Sequence, residues 1–205
     1  MAKSKKNSNS PQKVQLSPQK YVITKSRSLP WGKCYISDSW SIMGMASIIM
    51  TRVMPSGKLI VGIYLVDTFC MGLKNTDMRF AIDESEFEAL KQQIFEAHQS
   101  DPEEVTPLLL QNIIYGAIEY AEDLGFQPNR DFNITEYILE PADKIGFIDI
   151  EFGKDGKPFY IQGPHDNVAV ILKKLEKRVG IGGFDFLSRA DQLSSSLFSN
   201  NDELE

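Results

Sequence analysis

The chain has 205 residues, of which 42% are aliphatic or aromatic and 24% charged, so it is long and apolar enough for one packed domain without disulfide or metal staples. The longest apolar run, 59–66, is far short of a membrane span, and Met1 is followed by lysine and polar residues instead of an apolar leader. A soluble, cytoplasmic protein without a membrane role is expected.

Net charge is −6, unevenly distributed. Residues 1–37 carry eight bases (Lys3, Lys5, Lys6, Lys13, Lys20, Lys25, Arg27 and Lys33) and no acid, a net +8. The rest holds all 28 acids against 14 bases, a net −14. A basic arm on an acidic body is the most distinctive feature of the sequence.

Residues 1–16 are almost devoid of apolar side chains and are expected to be a disordered basic tail. Ser17 and Pro18 then signal a short basic helix to about residue 26, stopped by Leu29 and Pro30. Residues 46–54 and 59–70, separated by Pro55, Ser56, Gly57 and Lys58, read as a β-hairpin. Both faces of the second strand are apolar, which places it in the interior of a sheet, with Gly62 marking a close approach or a bulge.

Helical spacing follows residue 82, with Ser85 and Glu88 as the predicted capping box and Phe87, Leu90 and Ile94 on one face. A stronger helix is predicted from about Thr106 to Leu124, with Gly125 at its C′ position. Gly116 inside it points to close packing against another backbone. Alternation at Ile148, Ile150 and Phe152 and the Gly153–Gly156 turn predict a second hairpin over 147–162. A last helix is expected from near Asp166 to Gly180, leaving 181–205 as a flexible polar and acidic tail. The resulting class is α+β: a single domain over 17–180, with a mainly antiparallel sheet built from two hairpins packed against about three helices.

The stretches YLVDTFCMGLK at 64–74, NIIYGA at 112–117 and FGKDGKP at 152–158 together resemble a group of small bacterial α+β proteins frequent in Bacteroidota. The resemblance covers roughly residues 17–178 and implies a shared domain beginning at the Ser17 helix start. It brings no substrate or cofactor with it. Relatives of that kind often carry histidine where this chain has Gln111 and Asn129, so no activity here would depend on imidazoles at those places.

Candidate chemistry is sparse. Asp67 ends the central strand, where an acid serves either as a general base or metal ligand or as a cap for the next turn. Asp149 and Glu151 are two apart and share one strand face, which suits Mg²⁺ or simply a wet face. His165 offers an acid–base group without a nucleophile beside it, and Asp166 after it suits a helix cap. Cys34, Cys70, His98 and His165 lack ligand spacing, so no metal or other cofactor is expected; the two cysteines read as buried free thiols, with a cross-strand disulfide as the alternative.

The basic arm carries the leading functional expectation, a non-catalytic interaction module. Lys20, Lys25 and Arg27 would meet an anionic partner, either RNA or the ribosome or an acidic protein surface, while Tyr21 and Trp31 would stack on bases. The alternative is a hydrolase, metal-dependent if Asp67, Asp149, Glu151 or His165 converge in a cleft.

Overall fold

The computed structural model of the chain describes residues 16–191. The expected tail at 1–16 thus lies, save for Leu16, outside the described residues, as does 192–205 of the acidic tail.

The fold begins where Ser17 caps α1 (Pro18–Lys25): its Oγ accepts the Lys20 N–H at 3.3 Å, and Pro18 takes the first turn, where a missing N–H costs nothing. A 3₁₀ turn and an extended stretch lead through Pro30 to β1 (Tyr35–Ser37) and the single turn α2 (Trp40–Met43). The strands β2 (Met45–Val53), β3 (Leu59–Asp67) and β4 (Gly72–Ile82) form a meander. After α3 (Glu84–Ala97), the short β5 (Pro102–Glu104) completes a five-stranded antiparallel sheet in the order β4-β3-β2-β1-β5. The α+β class and the antiparallel sheet are as read from the sequence.

Alternation in β3 sends Tyr64 and Val66 to one face and Leu59 and Val61 to the other, and both faces are covered. On the first face lies α4 (Pro107–Asp123), whose Leu110, Ile113, Ile114 and Ala117 pack on Ile48, Met50 and Tyr64. On the other, Phe87 and Phe95 of α3 meet Ile49 and Val61. Beyond α4 the chain makes α5 (Phe132–Thr135), two 3₁₀ turns and a long connection, then β6 (Phe159–Ile161), α6 (Val168–Val179) and β7 (Asp185–Leu187). Ile171 and Leu175 of α6 join Cys70, Ala121 and Tyr160 in a second core.

Several local expectations change. The second hairpin of the sheet is β3–β4; in β4 Asn75, Asp77 and Arg79 alternate with Thr76, Met78 and Phe80, and a register shift opposite Leu65 and Val66 breaks the phase with Leu73. The hairpin expected over 147–162 does not form. Its turn exists, with Lys154 and Lys157 exchanging backbone hydrogen bonds at 2.8 and 3.0 Å, but the limbs separate. Gly153 donates to the Thr68 carbonyl and Phe159 to the Phe69 carbonyl, so the turn is fastened to the end of β3. Strand β6 then pairs in parallel with β7, within the stretch expected to open the polar tail.

The capping box of α3 is Asp83 with Glu86, two residues earlier than Ser85 with Glu88, and Asn167 rather than Asp166 caps α6. Gly116 makes room for the Phe152 ring, not for a backbone: a Cβ there would lie 2.5 Å from two ring carbons. Gly62 likewise leaves space for Tyr64, whose hydroxyl donates to the Thr135 carbonyl at 2.9 Å. Cys34 and Cys70 are both buried and free.

Candidate functional site

The basic segment after residue 16 is fastened to the body by side chains spaced along it. Val22 on the inner face of α1 is fully buried against Ile60 and Ile138. Ser26 donates to the Tyr137 carbonyl at 2.7 Å. Arg27 donates from Nε to the Leu139 carbonyl (2.8 Å) and from Nη2 to the Glu136 carbonyl (3.2 Å), and its guanidinium lies 4.7 Å from the centre of the Tyr137 ring. Tyr21 meets Phe80 edge-to-face.

The knot that closes this segment is Arg52, in β2 and 2% exposed. Its Nε donates to the Ile138 carbonyl (2.9 Å), Nη1 to the Leu29 carbonyl (2.9 Å) and Nη2 to Glu140 Oε1 (2.7 Å). Trp31 lies against the guanidinium, 3.3 Å from ring centre to Cζ. Burial lowers the Arg52 pKa, while the bond and the charge of Glu140 raise it; the fork stays a cation, as arginine does in proteins. Sequence reasoning passed over Arg52; an arginine between the apolar residues of an interior strand was the available signal.

Of the five residues expected to bind a partner, Tyr21, Arg27 and Trp31 are therefore occupied within the molecule. Lys20 and Lys25 are exposed on the outer side of α1, and neither ammonium forms an ion pair with a described residue.

The four candidate catalytic groups are not gathered together. Asp67 is buried, and its Oδ1 accepts the N–H groups of Phe69 (3.0 Å) and Cys70 (2.9 Å), capping the turn into β4. Burial raises its carboxyl from the ordinary 3.8 to about 6, against the opposing pull of Lys74 and of the N–H donors. His165 is exposed in the loop before α6. Asp166 beside it turns inward and accepts from Gly163 N (2.8 Å), the Tyr160 hydroxyl (3.2 Å) and Lys74 Nζ (3.4 Å), a polar brace between β4, β6 and the α6 entry. Among the described residues, no three His, Cys, Asp or Glu side chains come together in a way that could hold a metal ion.

Asp149 and Glu151 project from a strap, residues 145–152, that crosses α4 outside any sheet. Burial alternates along it: Ile148, Ile150 and Phe152 are half-buried, Asp149 and Glu151 exposed. Asn112 of α4 clamps the strap with one side-chain amide, Nδ2 donating to the Gly146 carbonyl (2.9 Å) and Oδ1 accepting the Ile148 N–H (3.0 Å). A hollow of about 490 Å³ lies on one side, lined by Tyr115, Glu119, Tyr120 and Phe147 among others. A second, of about 640 Å³, separates the strap from α2 and is lined by Trp40, Ile42, Phe69, Asp149, Glu151 and Asp155. Neither Asp67 nor His165 lines either hollow.

Gln111 and Asn129 have structural work: Gln111 Oε1 accepts the Glu140 N–H at 2.7 Å, and Asn129 Nδ2 donates to the Lys74 carbonyl at 3.3 Å. The thiols are quiet, with burial pushing Cys34 up to about 11. No helix among the described residues is long and apolar enough to cross a membrane. No family model, curated protein or solved structure matches the chain.

Proposed function

We propose that the protein is a non-catalytic, cytoplasmic interaction module whose basic N-terminal side contacts an anionic partner, with the phosphate backbone of structured RNA as the first candidate and an acidic protein surface as the second. The observation that carries this reading is the pair of exposed lysines, Lys20 and Lys25, on a helix anchored from its other side by Val22 and Ser26. A docked helix presents its charges at little further entropic cost on binding. Lys3, Lys5, Lys6 and Lys13 precede it in the sequence and add to the same positive field. Because Tyr21 and Trp31 are used internally, recognition rests on charge instead of base stacking.

The test is fluorescence anisotropy of a labelled RNA hairpin against full-length protein at several salt concentrations. Affinity should fall steeply with salt, and replacing Lys20 and Lys25 by glutamine should reduce the log–log slope by about 2, at about 0.9 per phosphate contact. An affinity indifferent to salt and to both substitutions would sink the proposal. A hydrolase reading draws on one observation, that Asp149, Glu151 and Asp155 share the hollow beside α2. It would gain ground if the protein hydrolysed phosphoesters with added Mg²⁺ and lost that activity on Asp149→Asn.

A further inference from the structure

The strap has the side-chain alternation of a strand and none of the pairing. In an extended chain, alternate residues turn their N–H and C=O groups to opposite sides. Gly146 and Ile148 turn theirs to Asn112. Phe147, Asp149 and Glu151 then face the other way, and none of them makes a backbone hydrogen bond to a described residue. Beside Asp149 and Glu151 lies the hollow of about 640 Å³ between the strap and α2, whereas Phe147 lines the other hollow. An unpaired row of backbone groups beside open space is the template used in strand addition.

The surroundings specify the occupant. On the outer side stand Asp149, Glu151 and, past the turn, Asp155, all exposed. The nearby Lys154 has its ammonium over the Phe159 ring, 4.9 Å from the centre. Deeper, the hollow is lined by Trp40, Phe69 and Leu109, and Ile42 stands 77% exposed at its α2 side. A guest strand would therefore place basic residues outward beside the acids and apolar residues inward, at alternate positions. A second copy of the strap is disfavoured in the two registers that set acid against acid. Antiparallel pairing centred on Ile150 sets Asp149 against Glu151, and pairing centred on Asp149 sets that residue against itself; like charges directly opposite are destabilising.

We infer that residues 148–151 accept a strand from a partner protein: an extended basic segment with apolar residues at every second position. This surface is separate from Lys20 and Lys25, so either proposal can fail alone. The probe is a fluorescent octapeptide alternating lysine with valine, titrated by anisotropy against full-length protein. Two further versions, N-methylated at every lysine or at every valine, keep charge and composition while each blocks one edge of the peptide.

The expected result is a split. One methylated peptide loses at least tenfold in affinity and the other stays within about threefold of the parent, because pairing uses one edge. A glutamate–valine peptide should bind at least tenfold more weakly, and the Asp149→Lys/Glu151→Lys variant should reverse that preference. The Lys20→Gln/Lys25→Gln variant should bind the parent peptide unchanged. Equal affinities of the two methylated peptides would show charge attraction without pairing and overturn the inference. So would the absence of binding at millimolar peptide, or binding that follows Lys20 and Lys25.

Discussion

Segments 17–29 and 145–152 both lie outside the five-stranded sheet, and they are held in opposite ways; just past the first, Trp31 bridges Arg52 of β2 and the Pro30 carbonyl accepts the Val53 N–H. The first is fastened through its side chains: Val22 in the core, and Ser26 and Arg27 on carbonyls of 136–139. The second rests its apolar side chains on α4 while a single residue, Asn112, holds its backbone. The difference teaches that order and closure are separate properties. A polar, basic segment is closed where its donors reach carbonyls that need partners. A strand-like segment stays open where its own carbonyls and N–H groups find none.

The sharpest way to break the contrast is Arg52→Ala. It leaves the Leu29 and Ile138 carbonyls and the Glu140 carboxylate without their donor and removes the face on which Trp31 rests. Loss of a buried charged donor of this kind costs about 3–5 kcal/mol, to be read from urea denaturation. Arg52→Lys should recover little, since an ammonium cannot reproduce the fork.

The next effect concerns pH. Folding raises the Asp67 carboxyl to about 6 through burial, so the folded state binds that proton more readily than the unfolded one. Its contribution is full below about pH 4 and is lost as pH rises through about 6, an effect on the order of 3 kcal/mol. Asp67→Asn keeps an oxygen for the Phe69 and Cys70 N–H groups and should remove that slope, seen as the difference between the two proteins' denaturation midpoints from pH 4 to 7.

Arg27→Gln should cost about 1–2 kcal/mol, because two carbonyls lose a charged donor. By contrast, Lys20→Gln and Lys25→Gln should stay within about 0.5 kcal/mol of the parent in thermal melts, as exposed substitutions do. An effect between these two falls on the strap. Asn112→Ala removes the clamp, and about 1 kcal/mol of stability should go with it. Faster exchange of the Ile148 amide should accompany that loss.

The main secondary structure was legible because its signals are local. Ser17 with Pro18, Thr106 with the stripe of α4, and the two apolar faces of β3 each specify an element through nearby residues. What escaped depends on distant partners. The strand β4 is polar at every second position near its middle and gains its place from β3. The strap has the right alternation, yet Asn112 takes the backbone of Gly146 and Ile148, and the Thr68 and Phe69 carbonyls take the N–H groups of Gly153 and Phe159 that would close the hairpin. The basic character of 17–31 was plain, but nothing local reveals that Arg27 and Trp31 face inward, because their partners lie at 136–139 and 52. Asp149 and Glu151 were expected on one face of a strand; they stand exposed on a strap outside any sheet, and the hollow beside them arises only where α2 and the strap meet.

The most direct measurement is residue-resolved amide hydrogen exchange on the full-length protein. A closed N-terminal segment and an open strap require slow exchange at the Tyr21 amide, which bonds to the Ser17 carbonyl, and in the rest of the helical turn that follows it. They require fast exchange at Asp149 and Glu151, within about tenfold of an unstructured peptide. Protection at Asp149 and Glu151, or an unprotected α1, would contradict the account.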